Sequence, residues 1–342
     1  MVMQRRSSAI TIKEVAAAAK VSTATVSRAF AGMDCVNPQL RQHVLGVASS
    51  LNYQPNRVAR SLRSRTSNTI GLLIPDIDNH FFTGAVRGIE SVLNAADYTM
   101  LLGHSNDDPK RERNYLSTLR AEGVAGIIFC PNKANHNYYL ELQRDGLPMV
   151  CIAREISGFE VDTVTVANKQ GGYMATKHLL GLGHNRIAII TGPQEVSNAR
   201  ERLEGYRQAL QEAGIPEIPF YIQQADYRQQ QAHLATLKLL DHPAPPTAIF
   251  VTNEVMTLGT LEALKERQVK IPSEMALVGF DDPAWMKILS PGITVVKHPS
   301  NRLGAQAAEL LLQNLKKPKT GFRQFVMETE LIIRGSCGVI SS

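Results

Sequence analysis

The sequence predicts a small all-α headpiece followed by a larger α/β body of two lobes. Three observations predict it. Two capped helix starts lie close together within residues 11–30, positive charge is concentrated before residue 66, and from residue 69 short apolar runs alternate with amphipathic stretches.

The headpiece begins at Thr11-Ile-Lys-Glu14, where a threonine at a helix start is followed three residues later by a glutamate that can reach back to it. Ser22 marks a second start. Val15, Val21, Val26 and Phe30 supply apolar contacts, and the alanines from Ala16 to Ala19 let the two helices cross closely. This is a helix-turn-helix, and the free face of its second helix carries Thr23, Ala24, Thr25, Ser27 and Arg28. Arginine matches the paired acceptors on a guanine edge, and small residues at the helix start admit the backbone to a major groove, so Arg28 is the first base-reading candidate. In isolation the same residues would read as a plain helix start with a solvated charge. Asn37-Pro38 opens a third helix, on which Leu40, Val44, Val47, Ala48 and Leu51 recur at helical spacing.

Residues 1–65 hold ten lysines and arginines against Glu14 and Asp34, a net of +8. The whole chain is +6, so the remainder is −2. A basic module on a nearly neutral body is the footprint of nucleic-acid binding, with affinity that falls steeply as salt rises. No segment is long and apolar enough for a signal peptide or a membrane span, so a cytoplasmic protein is expected. Cys35, Cys130, Cys151 and Cys337 are scattered without metal-ligand or disulfide spacing, and no metal is expected.

In the body the pattern predicts strands at 69–74, 98–102, 126–130 and 149–152 with helices near 82–95, 109–121 and 137–145. A second set follows: strands near 186–191, 220–223, 248–251 and 277–280, and helices near 170–181, 199–213, 228–240 and 255–266. A helix near 300–315 and strand structure near 325–334 complete the chain. Each set is an open, doubly wound parallel sheet.

Thr11-Ile-x-x-Val-Ala, Val21-Ser-x-x-Thr-Val-Ser-Arg28 and Tyr53-x-Pro-Asn-x-x-Ala-Arg-x-Leu62 together resemble the signature of the LacI family of bacterial transcription regulators, over about residues 10 to 336. The resemblance implies a headpiece at 1–55, a hinge helix and linker at 56–67, and a periplasmic-binding-protein-like body at 68–342. Within that body it places an N-lobe at about 68–168 and 298–329 and a C-lobe at about 169–297 and 330–342. It implies DNA contacts from Thr11, Ser22, Thr23, Ala24, Thr25, Ser27, Arg28, Asn37, Tyr53, Asn56, Ala59, Arg60 and Leu62. The Leu62 pair of a dimer would wedge into the minor groove, which suits an exposed leucine set among Arg57, Arg60, Arg63 and Arg65.

Ligands of open α/β sheets collect at the carboxyl ends of strands. Phe81 and Phe82 follow the first strand and offer a stacking face, though both would equally fill the lobe core. Arg202, in Arg-x-x-Gly-Tyr, matches the family's cleft arginine and can donate paired hydrogen bonds to vicinal hydroxyls or a carboxylate. Asp281, in Gly-Phe-Asp, is its acceptor complement. Asn132, Asn198, Tyr227 and Asn253 join the effector set, and Trp285 either lines the cleft or is buried at the lobe surface. Glu254 stands where the family usually has aspartate after asparagine, and Ala167 where aspartate usually precedes asparagine.

The expected partners are pseudopalindromic double-stranded operator DNA, a second copy of the chain in a homodimer, and a small-molecule effector that is a sugar, sugar acid or sugar phosphate; no cofactor and no membrane are expected. The chain ends shortly after Arg334 without a leucine heptad tail, which favours dimer over tetramer. No phosphate-loop, dinucleotide or nucleophile-elbow motif is present, so the protein is not expected to be an enzyme. The competing readings are a sugar-binding protein or a sugar enzyme with an accessory DNA-binding headpiece.

Overall fold

The computed structural model describes residues 10–30, 35–53, 67–317 and 321–338. The chain forms two compact units that divide between Ser67 and Asn68.

The first unit contains α1 (Ile12–Ala18), α2 (Thr23–Phe30) and α3 (Pro38–Ser50). Thr11 and Glu14 form the capping box: the Thr11 amide donates to Glu14 Oε2 at 2.6 Å, and the Glu14 amide donates to Thr11 Oγ1 at 3.4 Å. Asn37 accepts the Gln39 amide at 2.9 Å, with Pro38 fixing the first turn of α3. Val15, Val26, Ala29 and Val44 are fully buried where the three helices meet. The hinge segment falls outside the described residues, and with it Asn56, Ala59, Arg60 and Leu62.

The second unit carries two six-stranded sheets. The N-lobe sheet has the order β11-β5-β4-β3-β1-β2, with every pairing parallel. Its strands are β1 (Thr69–Ile74), β2 (Thr99–His104), β3 (Gly126–Phe129), β4 (Met149–Ile152), β5 (Asp162–Val166) and β11 (Gln324–Met327). The C-lobe sheet has the order β12-β10-β9-β8-β6-β7, with β12 antiparallel to β10. It comprises β6 (Ile187–Thr191), β7 (Ile222–Gln224), β8 (Ala248–Val251), β9 (Ala276–Phe280), β10 (Thr294–Lys297) and β12 (Glu330–Ile332). The helices are α4 (His80–Ala95), α5 (Pro109–Ala121), α6 (His136–Arg144), α7 (Asn168–Gly181), α8 (Ser197–Glu212), α9 (Gln229–Leu240), α10 (Glu254–Glu266), α11 (Ala284–Ile288) and α12 (Ser300–Lys316). Near-continuous apolar strands such as Ile187–Thr191 are buried throughout, as sheets covered on both faces require.

Two strands and a short helix are absent from the sequence expectation. β5 alternates threonine with valine behind Asp162, yet all five residues are buried between β4 and β11. The polar residue that obscures the pattern is neutralised at a distance: Arg323 Nη2 lies 2.6 Å from Asp162 Oδ2, and the Arg323 amide donates to Oδ1 at 2.7 Å. β10 and α11 are four and five residues long, too short to show a period. The segment read as strand structure near 325–334 is two strands, β11 in one sheet and β12 in the other. The chain therefore crosses between lobes three times, after β5, after β10 and after β11.

Helix packing places one future site residue directly. A side chain at Gly172 on α7 would meet the Arg202 carbonyl oxygen at 2.2 Å, so its absence lets α8 seat Arg202 deep in the C-lobe.

Candidate functional site

In both sheets the strand order reverses beside the first strand of the set, between β1 and β3 and between β6 and β8, where crossover connections leave a crevice at the carboxyl ends. The two crevices face one cleft between the lobes, at the carboxyl ends of both sheets, where small-molecule ligands of such folds bind. After N-lobe strands it is lined by Asp76, Asn79, Phe81, Phe82, Asn106, Asp107, Ala153 and Arg154. From the C-lobe come Asn198, Arg202, Asp226, Tyr227, Arg228, Asn253 and Asp281. Backbone strain collects here. Among the described non-glycine residues with positive φ, Asn106, Asp107, Ala153, Asp226, Tyr227 and Asp281 all line the cleft.

Arg202 is buried and spans the C-lobe floor. Its Nε donates to Asn168 Oδ1 at 3.0 Å, one terminal nitrogen donates to the Thr252 carbonyl, and its guanidinium lies 3.6 Å from the centre of the Phe280 ring. Burial lowers its pKa, opposed by the negative field of neighbours that include Asp281. Asp281 makes no direct bond to Arg202. Its Oδ1 lies 2.5 Å from His298 Nε2 and its Oδ2 accepts the Glu254 amide at 3.0 Å. Burial pushes the Asp281 pKa up, but the His298 hydrogen bond and charge outweigh this and hold it below the usual carboxylate range. His298 also contacts Phe81 edge-on at 4.8 Å, linking the floor of one lobe to the aromatic wall of the other.

The N-lobe contributes a cation that the sequence reading missed. Arg154 is buried after β4 and forked onto Asp107, with Nη1 2.5 Å from Oδ1 and Nη2 3.0 Å from Oδ2. Its Nε has no hydrogen-bond partner among the described residues. Tyr227 lies over Gly192, which leaves the room its ring occupies, and its hydroxyl donates to Asn198 Oδ1 at 2.8 Å. Asn253 caps α10 through the Met256 amide at 2.8 Å, so its carbonyl oxygen is already engaged. Phe81 and Phe82 serve both readings at once, lining the cleft and packing in the N-lobe core.

Two of the proposed effector residues lie elsewhere. Asn132 caps the turn before α6, its side chain accepting from the Ala134 amide at 3.0 Å and donating to the Asp107 carbonyl at 3.2 Å. Trp285 packs on the C-lobe core and donates to Glu254 Oε1 at 2.9 Å. Among the described residues there is no group of three or more histidines, cysteines or carboxylates placed to hold a metal ion.

Behind Asp107 a buried polar network leads through Asn132 to Tyr139, whose hydroxyl donates to Glu112. Burial pushes the Glu112 carboxyl up to about 7, against the hydrogen bonds of Tyr139 and Asn135. The folded protein thus keeps a proton that the unfolded chain releases near pH 4.5. This group's contribution to stability is complete below that pH and is lost as pH rises through 7. Unfolding free energy is expected to fall by about 3 kcal/mol from this group between pH 4.5 and 8, and Glu112→Gln should remove that part of the fall. Denaturant titrations of both proteins check it, and parallel pH profiles would contradict it.

In the headpiece, Ala24 and Arg28 are exposed one turn apart on α2, with Thr23 and Ser27 half-buried beside them. Ser22 and Thr25 are engaged in the helix start: Ser22 Oγ accepts the Thr25 amide at 3.0 Å and lies 2.9 Å from Thr25 Oγ1. Tyr53 stands edge-on to Phe30 at 5.8 Å, within the headpiece packing. Arg41 ties α3 to the end of α2 by donating to the Ala29 carbonyl at 3.2 Å.

Residues 11–56 match the model for bacterial regulatory proteins of the lacI family, and residues 176–337 match a periplasmic binding protein-like domain. The ribose operon repressor of Haemophilus influenzae is 33% identical over 95% of this chain and 98% of its own length. The transcriptional repressor CytR of Escherichia coli is 34% identical over 98% of both. The chain belongs to the lacI family of bacterial regulatory proteins. Among solved structures, a transcriptional regulator CelR–cellobiose complex superposes with a TM-score of 0.74 at 29% identity, covering 96% of this chain and 99% of that one. The lac repressor dimer bound to operator, at 24% identity and a TM-score of 0.85, shares the fold over 97% of this chain and all of its own. As a family member the chain is a DNA-binding transcription regulator with an α-helical headpiece and an α/β ligand-binding body. No helix among the described residues is long and apolar enough to cross a membrane.

Proposed function

We propose that this regulator is a homodimeric repressor, acting in the cytoplasm without catalysis, whose operator affinity is set by a sugar-like metabolite held between the two lobes. The carrying observation is the cleft itself: buried donors and acceptors converge from both sheets, and Arg154 Nε is a buried donor that a ligand oxygen would satisfy. Phe81 and Tyr227 supply ring faces suited to a sugar. Relatives named ribose operon repressors and a cellobiose-bound structural neighbour support carbohydrate as the ligand class.

In this reading the second helix of each headpiece enters a half-site, with Thr23, Ala24, Ser27 and Arg28 towards base edges. Thr11, Ser22, Thr25 and Asn37 hold helix starts against the backbone, and Asn56, Ala59, Arg60 and Leu62 occupy the minor groove between half-sites. Arg202, Asp281, Asn198, Tyr227, Asn253, Phe81 and Phe82 hold the effector, joined by Arg154, while His298 orients Asp281 from behind. Sequencing of genomic fragments selected by the purified protein at about 0.15 M salt, where non-specific phosphate binding is weakened, should return a pseudopalindrome. An unenriched pool would overturn the reading. On that operator, Leu62→Ala should weaken binding at least tenfold and reduce the bend seen by gel mobility, since a lost wedge forfeits unstacking of the central step. Unchanged affinity would remove Leu62 from the minor groove.

A further inference from the structure

Glu254, the departure from the family's usual aspartate, is not among the residues that line the cleft. Its carboxylate instead leaves the C-lobe. Oε1 lies 2.7 Å from His80 Nδ1, and Oε2 accepts the His80 backbone amide at 3.2 Å. His80 is the first residue of α4 in the N-lobe, so one side chain joins the starts of α10 and α4 across the two lobes. Trp285 of α11 steadies it by donating to Oε1.

An anion at the start of the sixteen-residue α4 meets the His80 amide and the positive end of the helix dipole. Burial, with the charge of Asp281, pushes the Glu254 carboxyl above its ordinary value, and the bonds from Trp285 and His80 only partly offset this. An aspartate would end about 1.5 Å short, one carbon–carbon bond, and could not hold both His80 atoms in this geometry. Elsewhere on the rim Arg228 makes a second bridge, donating to Asn106 Oδ1 at 2.9 Å and to the Asn106 carbonyl at 3.0 Å.

We propose that Glu254 is a positioning residue which, through His80, struts the two lobes together and so sets how readily they separate. It touches no effector in this role and acts on effector affinity only through the lobe equilibrium. The consequence rests on the reading that lobe movement carries the effector signal.

The test is a spin-label distance measurement on the full chain carrying Cys35→Ser, with nitroxides at Glu122→Cys and Gln211→Cys, exposed positions on the N-lobe and the C-lobe. Cys130, Cys151 and Cys337 are buried. Glu254→Asp should raise the longer-distance population about tenfold, the worth of one hydrogen bond to a charged group. His80→Ala should raise it in the same direction by a smaller factor, because the backbone amide of residue 80 still donates to Oε2, and its 57% exposed side chain makes it a variant that leaves the core intact. The double variant should go no further than Glu254→Asp alone, because that change already cuts both bonds to His80. Distances unchanged in both single variants would overturn the proposal. So would a shift in Glu254→Asp alone, which would place the effect within α10. The measurement needs neither operator nor metabolite, so its failure is separate from failure of the functional reading, which operator selection judges.

Discussion

Arg202→Ala should abolish the response of operator binding to the metabolite while leaving operator binding itself within about twofold of wild type. The guanidinium is held on three sides, by Asn168, by the Thr252 carbonyl and by the face of Phe280, so its position in the cleft floor is fixed before any ligand arrives. Losing a pre-positioned, buried cation that hydrogen-bonds a ligand costs about 3 kcal/mol, which is more than a hundredfold in affinity. Arg202 lies outside the compact unit that carries the headpiece, so the change leaves the DNA-reading residues themselves untouched. Titrating a labelled operator in rising metabolite separates the effects. A variant that still responds at wild-type concentrations would remove Arg202 from the site. Arg202→Lys should recover little, because an ammonium cannot donate from three nitrogens while stacking on a ring.

Arg28→Ala should have the opposite profile, with operator binding lost and effector binding retained. The side chain is exposed on α2 one turn beyond Ala24. A bidentate arginine–guanine pair discriminates by about 1–3 kcal/mol, and a dimer carries two, so specific affinity should fall by about thirtyfold or more. Binding to non-specific DNA should fall only a few-fold, because the headpiece keeps its other basic residues. Equal losses on operator and random DNA would make Arg28 a phosphate contact and move base reading to Thr23 and Ala24.

The parts of this molecule that were legible in the sequence are those whose physics is local. Thr11, Ser22 and Asn37 were readable as caps because capping joins residues two or three apart. The placement of Arg202, Asp281 and Tyr227 in the cleft was readable because they follow strand ends, where open sheets form crevices, and the family motifs coincide with them. Arg154 obeyed the same strand-end rule after β4, and applying the rule to every strand would have found it. Its pairing with Asp107, 47 residues earlier, carries no local signal. His298 was hidden for a different reason. It follows β10, a four-residue strand, and its role depends on Asp281 and Phe81 reaching it from two other elements. Asn132 shows the converse error: a residue at a strand end whose side chain is spent on the next turn. The ion pair of Asp162 with Arg323 similarly turned a buried strand into a polar-looking segment.

The central claim is that operator and cleft are coupled, and reciprocity tests it most directly. Metabolite affinity should be measured by calorimetry for the free protein and for the operator complex, beside operator affinity with and without saturating metabolite. The account predicts one coupling factor, between about fivefold and 150-fold, appearing with the same size in both pairs of measurements. A metabolite that binds the cleft and leaves operator affinity unchanged would contradict it.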